Sequence, residues 1–261
     1  MITSIQNPKV KFVRRLQAEK RFRHREAAFV VEGTRWLHEL IKQAHLMQLV
    51  FVTEAWQKQA DNQDILQQVQ APVQVVTGEV MRTMSDTETP PGVLAIGHIA
   101  PLSLPQTPTF LLILDGVNTP GNLGTMLRAA AAAGTDGVLL APGCVDAYNP
   151  KVLRGSMGAH VRLPVHELAW EEIKNITQGM SVWVTAVSEA RDYTHLDWTG
   201  ASAVIIGNEA RGVGTEARQI ANGRLTIPMH HNTESLNAAT AAAVILFEAA
   251  RQRRNKGAGT N

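Results

Sequence analysis

The chain has 261 residues, 44% of them hydrophobic and 18% charged, with a formal net charge of +2. That length suits one large domain or two modest ones, and the balance supports a buried core and excludes a disordered chain. The single cysteine, Cys144, excludes an intramolecular disulfide and any multi-cysteine metal site; no apolar run approaches the ~18 residues of a membrane helix, and the start MITSIQNPKVK lacks an apolar h-region, so a cytoplasmic protein is expected.

In chain order, Pro8–Lys20 reads as a basic amphipathic helix. It lies in a segment, residues 1–26, that sets eight cations (Lys9, Lys11, Arg14, Arg15, Lys20, Arg21, Arg23 and Arg25) against Glu19 and Glu26, a net of +6. Such a cluster is either a solvated helix face or a polyphosphate contact. Its density favours RNA, because each neutralised phosphate releases counterions. Phe29–Val31 reads as a short strand ending at Glu32–Gly33. Thr34 is a candidate cap for a helix running to about Gln43. Leu49–Thr53 and Val73–Val76 read as strands with a helix near Asp61–Val69 between them, and Val93–His98 as a last strand. Residues 1–98 thus form a small α/β domain. Residues 99–109 carry Pro101, Pro105 and Pro108 and read as an extended linker.

Residues 110–261 have the βαβ rhythm of a parallel sheet. Phe110–Leu114 is a buried strand followed by a glycine-bearing turn, and Leu123–Ala133 is a helix ended by Gly134. Gly137–Leu140, Ser181–Ala186 and Ala203–Ile206 are further strands. Glu234–Arg254 is a long final helix with an alanine-rich packing face. The closing cations Arg251, Arg253, Arg254 and Lys256 read as a solvated, frayed tail.

Three segments of this second part carry candidate chemistry: LDGVNTPGNLGTMLRAAAAAG (114–134), VIIGNEARGVG (204–214) and LTIPMHHNTESLNAATAAAVILFEAAR (225–251). Ligands of a parallel α/β sheet bind outside the carboxyl ends of the strands, so one shared pocket is expected. The first segment has neither the G-x-G-x-x-G spacing of a dinucleotide turn nor a following Lys-Ser/Thr. Asn122 is placed to cap the helix. Arg128, on an alanine-rich helix, either pairs with a carboxylate or serves the chemistry; spacing does not choose. Glu209 either locks its glycine-bounded loop by accepting backbone N–H groups or pairs with Arg211. Ser235 and Thr233 are candidate helix caps. Asn237, expected one turn into the helix, gains little there unless it bonds something specific. His230 and His231 are adjacent and read as solvent or substrate contacts, and His160 and His166 lack ligand-spaced partners, so no metal is expected.

Together, in this order, the segments closely resemble the motifs of the SpoU (TrmH-like) RNA ribose 2′-O-methyltransferases, in the SPOUT superfamily. The match is N-x-x-x-x-x-R at Asn122–Arg128, G-x-E-x-x-G at Gly207–Gly212, and I-P-M…S-x-N at Ile227–Asn237. NPKVLRGSMGAHVRLPV (149–165) is similar to the family's stretch between the first two motifs. SIQNPKVK and FVVEGTRWLHEL are similar to the ribosomal-protein-like substrate domain that often precedes the catalytic one.

The resemblance implies an N-terminal RNA substrate-binding domain (1–98) and a knotted methyltransferase domain (110–261), whose C-terminal segment is threaded as a trefoil knot. It implies S-adenosylmethionine held in a bent form, a homodimer through knot-side helices, and an active site near that interface. Gly207, Ile227, Met229 and Leu236 are then expected to hold the cofactor. Asn122, Arg128, Glu209, Ser235 and Asn237 form the catalytic and positioning group. Lys9, Lys11, Arg14, Arg15, Arg35 and Arg154 are expected on RNA. For Arg154 and Ser156, contact with RNA phosphate or a partner subunit stands beside a plain helix start at Pro150.

Ribosomal RNA is the expected substrate. The alternatives are a tRNA 2′-O-methyltransferase, or a non-catalytic RNA-binding or ribosome-assembly factor that retains the knot. A nicotinamide-dependent oxidoreductase is argued against by the glycine spacing and by the lack of an acidic residue after a second strand.

Overall fold

The structure is a computed structural model that describes residues 1–231 and 233–258. The chain begins with α1 (Pro8–Ala18), α2 (Lys20–Glu26), β1 (Ala28–Glu32), α3 (Thr34–Ile41), β2 (Met47–Thr53), α4 (Glu54–Gln57), α5 (Ala60–Gln67), β3 (Val73–Val76), α6 (Gly78–Met84) and β4 (Val93–His98). It continues with β5 (Phe110–Asp115), α7 (Pro120–Ala133), β6 (Gly137–Leu140), α8 (Pro150–Ser156), β7 (Val165–Glu167), α9 (Trp170–Ile176) and β8 (Ser181–Thr185). Last come β9 (Arg191–Asp192), β10 (Ser202–Gly207), α10 (Thr215–Ile220), β11 (Gly223–Thr226) and α11 (Ala238–Ala258).

Two compact units result, residues 1–100 with 148–161, and residues 101–147 with 162–261. The division at 100/101 falls in the proline-bearing stretch 99–109, which carries no helix or strand. Residues 148–161, expected inside the second domain, group with the first unit instead. The reason is packing: Tyr148 stacks on Phe29 at 5.3 Å between ring centroids, and Trp36 Nε1 donates to the Leu153 carbonyl at 3.1 Å. Arg154 pairs with Asp86 at 2.6 Å in the same unit.

The first unit is a four-stranded sheet in the order β1-β4-β2-β3, antiparallel except for the parallel pair β2–β3. Val10, Val13 and Leu16 of α1 and Val80, Met81 and Met84 of α6 bury against Val30, Phe51 and Leu94. The expected single helix over Pro8–Lys20 is broken, because Glu19 is extended (φ −113°, ψ 110°). Arg23 supports the break. It is buried, and its guanidinium donates to the Leu16 and Gln17 carbonyls at 2.6 and 3.1 Å, satisfying the last turn of α1. Thr34 begins α3 but does not cap it; Gly33 holds that place, and Thr34 Oγ1 accepts from Trp56 Nε1 at 3.0 Å.

The second unit is a seven-stranded, all-parallel sheet in the order β7-β6-β5-β10-β8-β11-β9. Its central strands read FLLIL and AVII because both faces are covered. One face meets Ile173 of α9 and Ala217 of α10. The helices α7 and α11 pack on each other and bury Leu123, Met126, Leu127, Ala242, Ile245 and Leu246. Helix α7 starts three residues before its expected onset, at Pro120, and ends at Gly134 (φ 77°). Helix α11 starts four residues later than expected and runs through the basic tail. That tail is partly structural: the Arg253 guanidinium lies over the Phe110 ring and donates to the Thr109 and Gly200 carbonyls at 2.7 and 2.6 Å. Burial pushes the Arg253 pKa down. Arg251 pairs with Glu248 at 2.8 Å.

Candidate active site

The adjacent parallel strands β5 and β10 end in register, Asp115 beside Gly207. The turns that follow are laced together. Asn208, buried, donates from Nδ2 to the Gly116 carbonyl at 2.8 Å, while its Oδ1 accepts the N–H groups of Ala210 and Arg211 at 3.0 and 3.1 Å. Asp115 Oδ2 accepts from the Gly214 N–H at 2.6 Å. Asn208 and Gly212 exchange two backbone hydrogen bonds of 3.0 and 2.9 Å, which closes the 208–212 loop. Gly212 turns the chain with φ +67°. A Cβ on Gly207 would lie 2.3 Å from the Gly212 carbonyl carbon and 2.4 Å from the Val213 nitrogen, so the loop folds back onto a position that admits only glycine.

A cavity of about 880 Å³ opens at the carboxyl ends of β8, β10 and β11. Ile206, Val213, Leu225 and Ile245 supply apolar wall, joined by Ile227, Met229 and Leu236 of the third motif; Glu209 and Ser235 supply polar groups. Leu236 is 36% exposed, an apolar side chain left for a ligand to cover. Gly207 acts through its neighbours: Ile206 and Asn208 border the cavity, and its lack of a side chain lets the loop close.

The three motifs meet in one hydrogen-bonded relay. Asn237 Oδ1 accepts the N–H groups of Ala239 and Thr240 at 2.9 and 3.3 Å, capping α11. Asn237 Nδ2 donates to Asn122 Oδ1 at 3.1 Å, and Asn122 Nδ2 donates to Glu209 Oε1 at 2.7 Å. This corrects three assignments. Asn237 is the helix cap itself, ahead of the helix. Asn122 sits in the first turn of α7 and bonds the other two motifs instead of capping. Glu209 faces Asn122, and Asn208 does the loop-locking assigned to Glu209. Asn208 and Asp115 were the residues missed; the available signal was a short polar side chain at the end of a strand, next to glycine.

Arg128 is not drawn into the relay. Six residues beyond Asn122, it points about 120° away around α7. Its side chain is exposed and has no hydrogen bond or ion pair among the described residues. Ser235 is exposed in the loop before α11, at the cavity.

The cations expected on RNA divide. Lys9, Lys11, Arg14 and Arg35 are exposed. Arg15 is tied to Glu19 at 3.1 Å and lies over the Phe22 ring, and Arg25 is tied to Glu26 at 2.8 Å. Arg154 is committed to Asp86. Ser156 is buried and bonds the Leu153 carbonyl and His160 Nδ1, both at 3.0 Å, so it is no surface contact. Pro150 does open α8, with Asn149 as its cap.

Cys144, one strand from the site, gives its S–H to the Leu114 carbonyl at 3.2 Å, and burial pushes its pKa up to about 11. At pH 8 roughly one thiol in a thousand is then thiolate, so it should react with Ellman's reagent on the order of a hundredfold slower than an ordinary cysteine. Full reactivity should return in guanidinium chloride. A fast native reaction would show that the buried environment is wrong.

Ligand cavities of a few hundred to a thousand Å³ at the carboxyl edge of a parallel sheet are where such folds hold cofactors, so fold and site together define an α/β cofactor-dependent enzyme. Comparison with known proteins narrows the class. Residues 109–247 match the SpoU rRNA Methylase family, and residues 7–95 match the MRM3-like substrate binding domain. The chain is 31% identical to the 23S rRNA (guanosine(2553)-2'-O)-methyltransferase RlmP of Bacillus subtilis, over 94% of this chain and 97% of that protein. It is 32% identical to the mitochondrial rRNA methyltransferase 3 of Mus musculus, over 90% of this chain and 70% of that one. The solved SpoU methyltransferase AviRb from Streptomyces viridochromogenes, in complex with the cofactor AdoMet, superposes with a TM-score of 0.87 at 25% identity, covering 95% of this chain and 99% of AviRb. An AdoMet-bound rRNA methyltransferase from Sinorhizobium meliloti gives 0.84 at 26% identity, covering 96% and 97%. The chain belongs to the SpoU rRNA methylase family.

Proposed function

We propose that this protein transfers a methyl group from S-adenosylmethionine to a ribose 2′-hydroxyl of ribosomal RNA. The observation that carries the reading is the relay Asn237–Asn122–Glu209, which joins all three motifs beside a cofactor-sized cavity. The residues present fit the cofactor: Ile227, Met229 and Leu236 offer apolar surface for an adenine, and the closed 208–212 loop offers backbone groups at the same wall. When bound, S-adenosylmethionine supplies a methyl carbon on a good leaving group, the sulfonium.

The protein's task is then alignment and the handling of one proton. The N–H groups at the start of α11 fix the Asn237 amide, Asn237 fixes Asn122, and Asn122 fixes Glu209 Oε1. Glu209 is the one carboxylate of the group, and its Oε2 is left to accept a hydrogen bond from the ribose. Ser235 orients the sugar at the cavity. Arg128 holds the adjoining phosphate with its planar fork and stabilises developing alkoxide charge.

Within this reading residues 1–98 bind RNA through Lys9, Lys11, Arg14 and Arg35, residues 99–109 link, and residues 110–261 form the catalytic domain with a C-terminal trefoil knot. The protein acts in the cytoplasm as a homodimer, with Arg128 near the interface. No helix among the described residues is long and apolar enough to cross a membrane. The names of the relatives, rRNA methyltransferases over nearly the full chain, favour rRNA over tRNA.

The test is transfer of tritiated methyl groups to rRNA and tRNA from a strain lacking the gene, followed by nuclease mapping. Label in rRNA, recovered as an alkali-resistant dinucleotide, is expected. Alkali-labile label, or label confined to tRNA, would refute the ribose or the rRNA part respectively.

A further inference from the structure

The cavity has one feature that the cofactor does not explain. Arg211 in the loop after β10, Arg218 on α10 and Arg224 on β11 all border it. They come from three separate elements and are exposed. Arg211 and Arg218 have no side-chain hydrogen bond or ion pair among the described residues. Arg224 touches Glu189 at 3.4 Å, but with the two side chains 49% and 86% exposed that pair is weak and exchangeable. The carboxylates bordering the cavity are Glu209, already bonded to Asn122, and Glu234.

S-adenosylmethionine carries a sulfonium and an ammonium against one carboxylate, so it is a net cation near neutral pH. Three arginines at the mouth of its cavity oppose that charge and complement an anion. Guanidinium forks match phosphate oxygens, and cations gathered at a concave rim focus a positive field. We propose that Arg211, Arg218 and Arg224 form a phosphate-binding rim that holds the RNA backbone beside the target ribose, a second RNA contact separate from the basic helix α1. The proposal rests on the RNA-methyltransferase reading above and adds to it where on the catalytic unit the strand lies.

The test compares the wild type with the Arg211→Gln/Arg218→Gln/Arg224→Gln variant and with the matching triple Lys variant. Filter binding of labelled rRNA is measured from about 50 to 200 mM salt, and S-adenosylhomocysteine affinity is measured by calorimetry. Each lost phosphate contact should lower the slope of log K against log salt by roughly 0.7, so the Gln variant should lose about two and bind rRNA on the order of ten- to a hundredfold more weakly. The S-adenosylhomocysteine affinity of the Arg218→Gln/Arg224→Gln variant, which leaves the 208–212 loop untouched, should stay within about twofold of wild type, which also shows that this variant folds. The Lys variant should keep the salt slope, because a point charge suffices to release counterions. Loss of S-adenosylhomocysteine affinity with rRNA binding intact would overturn the proposal and assign the rim to the cofactor carboxylate. Unchanged rRNA binding and slope would overturn it too, leaving a solvated surface. A wild type that binds no rRNA would remove the RNA reading along with the rim, whereas a wild type that binds and a Gln variant that matches it would remove the rim alone.

Discussion

Gly207→Ala is expected to weaken S-adenosylhomocysteine binding by at least about tenfold while leaving the protein folded. The added methyl would meet the Gly212 carbonyl carbon at 2.3 Å and the Val213 nitrogen at 2.4 Å. These are backbone atoms held by the paired Asn208–Gly212 hydrogen bonds and by Asn208 on Gly116, so they cannot swing aside as a flexible side chain would. Overpacking of this kind costs roughly 1–3 kcal/mol. Relief requires opening the 208–212 loop, which moves Glu209 and the cavity wall together. Calorimetric titration with S-adenosylhomocysteine, beside a thermal melt, reads both effects. Wild-type affinity in the Ala variant would mean that the loop does not bind the cofactor.

Arg128→Ala is expected to lower methyl transfer by a factor on the order of a thousand with cofactor affinity unchanged, the size typical for loss of a group that stabilises developing oxyanion charge. Arg128→Lys should recover only a small part of this, because lysine keeps the charge but lacks the planar fork. The exposed position of Arg128 and the absence of a side-chain partner among the described residues argue that neither substitution disturbs folding. Single-turnover methyl transfer with saturating cofactor separates the chemical step from binding. A Lys variant with most of the wild-type rate would sink the geometric role and leave only charge.

The two residue sets behave differently because of what holds them. Asn122, Glu209 and Asn237 lie 87 and 115 residues apart along the chain in their two contacts, yet the resemblance to the family's motifs singled out each of them. Their mutual geometry was not, because Asn237 shifts from helix interior to cap once α11 begins at Ala238. The arginines Arg211, Arg218 and Arg224 were not legible as a group, since no periodicity links a loop, a helix and a strand. Conversely, the dense cations of residues 1–26 read as one surface in the sequence, but Arg23 turns inward to satisfy α1, and Arg15 and Arg25 are spent on carboxylates beside them.

The α/β class, the βαβ rhythm of the second half, most strand positions and the three motif segments can be read from the residues alone. Those features are written in local patterns: continuous apolar runs for strands covered on both faces, glycines at turns, and short polar residues at strand ends. Strand order, the grouping of residues 148–161 with the first unit, the partners of each arginine and the direction of the Asn237–Asn122–Glu209 relay emerge only in the folded chain. Each of these depends on which strand edges and side chains meet after the chain has folded, at the surface as well as in the interior. Requirements for hydrogen-bond satisfaction in the interior act across tens to hundreds of residues and leave no mark in local sequence.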